Sequence, residues 1–155
     1  MTRTLAYSLA TWFGCGYAPK APGTAGTAGG LVLAFAIDRL FGWPPWAYGV
    51  LALIALWPSI WSATFVALDM GRKDPQLVVI DEVIGVWITL AGAAQLNWKS
   101  WLLAFLLFRL FDIWKPWPVR QLEALPDGTG IVMDDAMAGV YGALVLSALG
   151  WFNLY

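Results

Sequence analysis

Residues 46–68 read WAYGVLALIALWPSIWSATFVAL, a run of 23 residues without a single charged side chain. An α-helix of about 20 apolar residues is long enough to cross the roughly 30 Å hydrocarbon core of a bilayer. Similar apolar segments precede and follow this one, at residues 24–40, 77–96, 98–114 and 133–154. Five such segments in 155 residues would leave a soluble protein without a polar exterior. The pattern therefore predicts an all-α, polytopic membrane helical bundle with about five transmembrane segments.

The composition agrees with a membrane protein and excludes several classes of function. Only 12% of the residues are charged, whereas about 25% is usual for a soluble domain. The formal net charge of -1 argues against nucleic acid as a partner. The chain has no histidine, so catalysis or metal binding must use carboxylates, Lys, Arg or hydroxyl groups. Residues 1–155 leave no room for a second domain and are expected to form one integral-membrane domain.

A short apolar stretch at residues 5–13 precedes these segments. Gly/Pro-rich sequence follows it, rather than a small-residue cleavage site before a soluble domain. It is predicted to be an interfacial or re-entrant helix, and whether it crosses, dips or lies flat is left open.

The basic residues predict the orientation of the bundle. If each long segment crosses once, one membrane face receives six basic residues, and the other receives only Arg39 and Lys99. The basic residues of the first face are Arg3, Lys20, Arg72, Lys73, Lys115 and Arg120. Because Lys and Arg are in excess in cytoplasmic loops, this face is predicted to be cytoplasmic, with the N-terminus on it.

Five acidic residues fall on the same face, at the ends of three apolar segments. They are Asp81, Glu82, Asp112, Asp134 and Asp135, and Arg109 and Lys115 accompany them. Snorkelling to the headgroups explains long basic side chains, but it explains short acidic ones poorly. Arg109 and Asp112 could neutralise each other at i, i+3, and acidic residues still remain in excess. Since Mg²⁺ prefers carboxylates together with water and substrate phosphate, the excess of acids indicates a magnesium site.

Two features suit the binding of a phosphate group. Arg109, Asp112 and Lys115 recur every three residues and so follow roughly one face of a helix. The sequence around Lys20 and Thr24 is shaped by Pro and Gly, and it leads into the first long helix, whose N-terminal N–H groups could bind an anion. A plain loop followed by a helix cap would have the same appearance.

Four blocks of this sequence resemble the phosphatidylglycerophosphatase A family. They are GCGYAPKAPGT at 14–24, VIDEVIG at 79–85, FRLFDIWKPWP at 108–118 and GTGIVMDDAMAG at 128–139. The resemblance implies a Mg²⁺-dependent membrane phosphatase that converts phosphatidylglycerophosphate to phosphatidylglycerol in bacterial phospholipid synthesis. It also implies a multi-pass protein of the cytoplasmic (inner) membrane whose active site faces the cytoplasm. Cys15 departs from the family pattern, in which a small hydroxyl residue is expected.

Residues and resemblance together predict the roles within the site. Mg²⁺ is expected on Asp81, Glu82, Asp134 and Asp135, and the substrate phosphate on Lys20, Thr24, Arg109 and Lys115. Asp112, Asp81 and Lys115 are the predicted catalytic residues, with Asp112 as the base or nucleophile. Whether water or a carboxylate attacks, the number of metal ions, the lipid selectivity and the oligomeric state stay open.

Three other functions compete with this hypothesis. A CDP-alcohol phosphotransferase is also small, rich in acids and Mg²⁺-dependent, but the Asp-Gly…Ala-Arg run expected of it is absent. A proton- or cation-coupled transporter also uses acids inside helices, but here only Asp38 lies away from the acidic face. If the chain is a purely structural membrane subunit, we expect that the acids can be replaced by amides with little effect beyond stability.

Overall fold

The computed structural model describes residues 2–155, and within that range the chain is helical without a β-strand. A single 3₁₀ turn, Cys15–Tyr17, follows the first helix. The seven α-helices are α1 (Thr2–Ala10), α2 (Pro22–Phe41), α3 (Pro45–Met70), α4 (Ile80–Ala91), α5 (Trp98–Trp114), α6 (Val119–Leu122) and α7 (Asp127–Trp151). The predicted all-α fold is confirmed.

Helix α4 is the centre of the bundle. It packs against α2, α3, α5 and α7, most extensively against α7. Nine of its twelve residues are buried, because a helix surrounded by others must be apolar on nearly every face. The other helices cover it and turn their remaining apolar side chains outward, Leu53, Ile54 and Trp57 of α3 being examples.

Glycines allow α4 to approach its neighbours closely. A Cβ atom at Gly26 or Gly30 of α2 would crowd Val79 and Val83. A Cβ atom at Gly139 of α7 would collide with the backbone of Gly85 in α4. Because apolar burial drives little association in lipid, such small residues let van der Waals contacts form instead. These glycines therefore bring α2 and α7 close to α4.

The helix boundaries agree with the predicted segments in three cases and differ in two. Helices α2, α3 and α5 lie within two residues of the predicted limits. Helix α4 is much shorter than the predicted segment 77–96, and the chain on either side of it forms turns. Three helices, α2, α3 and α7, are long and apolar enough to cross a membrane.

Helix α7 starts at Asp127, six residues before the predicted segment, so the expectation that Asp134 and Asp135 open this helix is wrong. Gly128, in the first turn of this helix, packs tightly against α3. Its N–H donates to Thr64 Oγ1 at 3.0 Å, and a Cβ atom there would collide with the backbone of Thr64. This contact extends the helix, and the two aspartates lie about two turns inside it.

Helix α1 overlaps residues 5–13, which were predicted to form an interfacial or re-entrant helix, and it begins and ends three residues earlier. Its nine residues span about 14 Å, which is too short to cross a bilayer. The helix packs on α3, where Arg3 and Tyr7 both donate to Asp69. Its C-terminal carbonyl at Ala10 accepts the N–H of Val79 at 2.8 Å, so the N-terminal segment supports the start of α4.

Candidate active site

A cavity of about 570 Å³ opens at one end of the bundle, where α2, α4 and α7 begin and α5 ends. Its polar and charged lining residues are Thr24, Lys73, Asp74, Gln76, Asp81, Glu82, Arg109, Asp112, Lys115, Glu123, Asp134 and Asp135. The predicted gathering of acidic residues at one end of the helices is therefore confirmed.

Helix α4 contributes the acidic pair at its first turn. Asp81 is 9% exposed, and Asp81 Oδ1 and Glu82 Oε2 are buried atoms without a hydrogen-bond partner in the described part of the chain. A buried, unpaired carboxylate oxygen is costly unless a cation or a donor reaches it. Both atoms therefore mark a place in the cavity that suits a cation or a hydrogen-bond donor.

Asp135 of α7 completes a group of three carboxylates with this pair. One oxygen from each of Asp81, Glu82 and Asp135 lies within 4.8 Å of the others. The close contact between Gly85 and Gly139 holds α4 and α7 at the distance this grouping needs. Carboxylate oxygens are hard ligands, and neighbouring basic groups do not balance the charge of these three. Such a donor set fits Mg²⁺.

Asp134, the fourth predicted metal ligand, lies apart from this group. Successive residues of a helix point about 100° apart, so Asp134 faces the end of α5 while Asp135 faces α4. Its Oδ2 accepts a hydrogen bond of 2.7 Å from the Lys115 ammonium, and its Oδ1 accepts the N–H of Asp135. Lys115, rather than the carboxylate group, is the partner of Asp134 in this structure.

Arg109 and Asp112 form the i, i+3 ion pair that the spacing predicts. Arg109 Nη1 lies 2.6 Å from Asp112 Oδ2 and 3.9 Å from Glu82 Oε1. The Asp112 contact is close but lacks hydrogen-bond geometry, so the buried Nη1 atom has no acceptor for its N–H groups. Arg109 links the acids of α4 and α5.

Lys115 ends α5 in a left-handed backbone conformation, with φ 48° and ψ 60°, immediately before Pro116. A non-glycine residue in this region is strained, and such strain is concentrated at functional sites. Burial lowers the pKa of the Lys115 ammonium, but the hydrogen bond and charge of Asp134, with those of Glu123, outweigh burial and raise the pKa above its ordinary value. Lys115 is therefore a permanent cation at the cavity wall.

In the turn before α2, the chain's backbone comes close to the acidic residues of the cavity. Ala21 is also left-handed, Pro22 opens the helix, and a Cβ atom at Gly23 would overlap the Glu82 carboxylate. A larger residue at this position would displace the Glu82 carboxylate. Thr24 lines the cavity, whereas Lys20 is exposed and does not line it.

The cavity carries a large excess of negative charge. Seven acidic residues line it and only three basic ones, Lys73, Arg109 and Lys115. Two of these acids, Asp74 and Glu123, and the basic Lys73 were given no role by the sequence analysis. These residues lie in exposed loops, and no motif surrounds Glu123, so nothing in the sequence indicated that they belong to the site. Only the fold places them at the cavity. A phosphate group that enters this cavity would meet more formal negative than positive charge.

Comparisons with known proteins agree with the geometry. A family model described as phosphatidylglycerophosphatase A matches residues 8–150. Phosphatidylglycerophosphatase A of Escherichia coli is 35% identical over 92% of this chain and 81% of its own length. The protein of the same name from Haemophilus influenzae is 36% identical over 94% of this chain and 89% of its own length. A Bacteroides thetaiotaomicron protein, provisionally named a phosphatidylinositol-3-phosphatase, is 37% identical over 92% of each chain. No solved structure matches the chain.

Proposed function

This chain belongs to the phosphatidylglycerophosphatase A family, and from that membership we propose that it hydrolyses phosphatidylglycerophosphate to phosphatidylglycerol and phosphate in bacterial phospholipid synthesis. The family makes the chain a phosphatase. The observation that carries the choice of site is one cavity in which acids from α4, α5 and α7 meet three basic residues and the N-terminus of α2. An anionic phospholipid with a phosphomonoester headgroup is the proposed substrate.

We propose Mg²⁺ as the cofactor, held by Asp81, Glu82 and Asp135. The unpartnered buried oxygens of Asp81 and Glu82 and the 4.8 Å grouping support this assignment. Bound Mg²⁺ supplies charge neutralisation for the phosphate group and lowers the pKa of a coordinated water. Asp134 is proposed to act through Lys115, which it holds at 2.7 Å.

Arg109 and Lys115 are the proposed cations for the substrate phosphate. Arg109 lines the cavity, and its planar guanidinium can bind two phosphate oxygens together. The hydroxyl of Thr24 and the first N–H groups of α2 lie at the same cavity and favour an anion there. Lys20 is exposed and outside the lining, so its role in phosphate binding stays a prediction.

Asp112 is the proposed base or nucleophile. As a base it takes a proton from the attacking water and returns it to the glycerol oxygen as the bond from phosphorus to that oxygen breaks. As a nucleophile it bonds to phosphorus while the bond from phosphorus to the glycerol oxygen breaks and that oxygen takes a proton from solvent. Water then cleaves the acyl phosphate, which releases inorganic phosphate and restores the Asp112 carboxylate. In both routes Arg109 and Lys115 stabilise the negative charge of the transition state, which is the main requirement of phosphoryl transfer.

We propose a single integral-membrane domain whose cavity faces the cytoplasm of a bacterial inner membrane. The excess of Lys and Arg at the cavity end of the bundle supports this orientation. Five crossings are proposed, with α5 and α4 included. Since the twelve residues of α4 span only about 18 Å, the third crossing would need its flanking turns as well.

The test is phosphate release from phosphatidylglycerophosphate by the purified protein in detergent, with and without Mg²⁺. We expect release that depends on Mg²⁺ and is lost in Asp81→Asn. The matched control is Asp38→Asn, since Asp38 lies near the opposite end of α2, and this variant should remain active. Mg²⁺ should also raise the thermal unfolding midpoint of the wild type but not that of Asp81→Asn.

Phosphatidylinositol 3-phosphate provides a second substrate for the same assay, because the name of the Bacteroides relative refers to that lipid. Preferential hydrolysis of the inositol lipid would replace the proposed substrate and leave the site intact. Absence of release from either lipid by folded protein would refute the phosphatase proposal for this site. The transporter hypothesis is not favoured by the family or by the placement of the acids at one end of the bundle.

A further inference from the structure

Lys115 contacts two carboxylates at once, and the second of these, Glu123, lies in the turn that follows α6. Lys115 Nζ is 2.7 Å from Asp134 Oδ2 and 3.1 Å from Glu123 Oε2. Both acids line the cavity with Lys115. The three groups together carry one excess negative charge where the phosphate of a substrate must bind.

The two contacts are unequal. The Asp134 side chain is 5% exposed and accepts a well-formed hydrogen bond. The Glu123 side chain is 47% exposed and lies farther from Lys115 Nζ, at 3.1 Å. A half-exposed carboxylate regains hydration when it leaves an ion pair, whereas a buried one does not. Glu123 is therefore the partner that Lys115 can release at little cost.

We propose that Glu123 is an exchangeable partner of Lys115, which neutralises the ammonium in the empty site and yields it to the phosphate group of the substrate. The inference rests on the proposed function, because it takes Lys115 as a phosphate ligand. Glu123 returns to Lys115 as inorganic phosphate leaves, so it weakens product binding and assists release. It is a positioning residue, acting on the reaction through Lys115.

Substitution of Glu123 by Gln removes both the competition for Lys115 and one negative charge facing the phosphate. Each effect favours anion binding. Since half-exposed ion pairs contribute little, the concentration of inorganic phosphate that half-saturates the site should fall about twofold to fivefold. Glu123→Asp keeps the charge and should stay within about twofold of the wild type by the same reasoning.

The test measures the thermal unfolding midpoint of the full-length protein in detergent against inorganic phosphate, with Mg²⁺ present. Asp127→Asn is the matched control, because Asp127 is exposed, lies four residues away and does not line the cavity. We expect the phosphate response to move to lower concentration in Glu123→Gln and not in the control. An unchanged or weaker response in folded Glu123→Gln would overturn the proposal, and so would an equal shift in Glu123→Asp.

Kinetics separate this inference from the proposed function. In Glu123→Gln the KM for the lipid and the inhibition constant of phosphate should both fall, while kcat does not rise. A purely structural role would lower kcat without strengthening phosphate inhibition, which would contradict the inference. If no lipid phosphate is hydrolysed but the phosphate response still shifts, the proposed function fails and the assignment of Glu123 stands.

Discussion

Replacement of Lys115 by Met would leave a buried carboxylate without its cation. The Lys115 side chain is 25% exposed and that of Asp134 is 5% exposed, and their charged atoms are 2.7 Å apart. Met preserves most of the length and apolar surface of the lysine stem. The substitution therefore tests the charge of Lys115 with little change in packing.

The expected loss of stability follows from the burial of Asp134. Breaking a fully buried pair by removing one partner costs about 3–5 kcal/mol. Lys115 retains some contact with water, so the lower end of that range, about 3 kcal/mol, is appropriate here. For a chain of this length, such a loss corresponds to a fall of roughly 6–12 °C in Tm.

The assay is thermal unfolding of the purified protein in detergent with a chelator, so that no divalent cation replaces the lysine. Lys99→Met is the matched control, because Lys99 is exposed at the opposite end of the bundle. The double variant Lys115→Met/Asp134→Asn removes both charges and should recover most of the lost stability. If Lys115→Met melts like Lys99→Met, or if the double variant is no more stable than the single one, the reasoning about the buried pair is refuted.

Two further predictions concern the site and the topology. Gly23→Ala places a Cβ atom against the Glu82 carboxylate. Because this displaces an acid of the site, the rate of phosphate release should fall about 100-fold, and Tm checks that the variant is folded. Full activity would show that the site tolerates a displaced Glu82. In a Cys15→Ser background, cysteines in place of Lys73 and Lys99 should react with a membrane-impermeant thiol reagent from opposite sides of the membrane; labelling from the same side would contradict the proposed topology.

The order of the helices, and the ends at which their polar residues lie, could be predicted from the sequence. The reason is that a lipid environment imposes a simple rule on an apolar segment. Every long apolar run must satisfy its backbone internally, and so forms a helix. The boundaries of α5 at Trp98 and Trp114 follow from local signals, with an Asn97–Ser100 capping box at the start and Pro116 after the end. The ion pair of Arg109 with Asp112 also follows from helical spacing alone.

Other features depend on contacts that a single sequence does not display. The length of α7 results from the fit of Gly128 against α3, which overrides the tendency of Gly-Thr-Gly to form a turn. The separation of Asp134 from Asp135 depends on where Lys115 lies in space. Glu123 has no motif around it, and only the return of the chain after α6 brings it to the cavity.

The extensive packing of α4 against α7 has a consequence for how the protein is made. The chain emerges from the ribosome with Asp81 and Glu82 well before Asp135, and α4 alone is too short and too polar at its start to be stable in lipid. It must await α7, whose docking supplies both its largest partner surface and the last carboxylate of the proposed metal group. A nascent or truncated chain that lacks α7 would thus hold an incomplete site, so hydrolytic competence would arise only after α7 has docked.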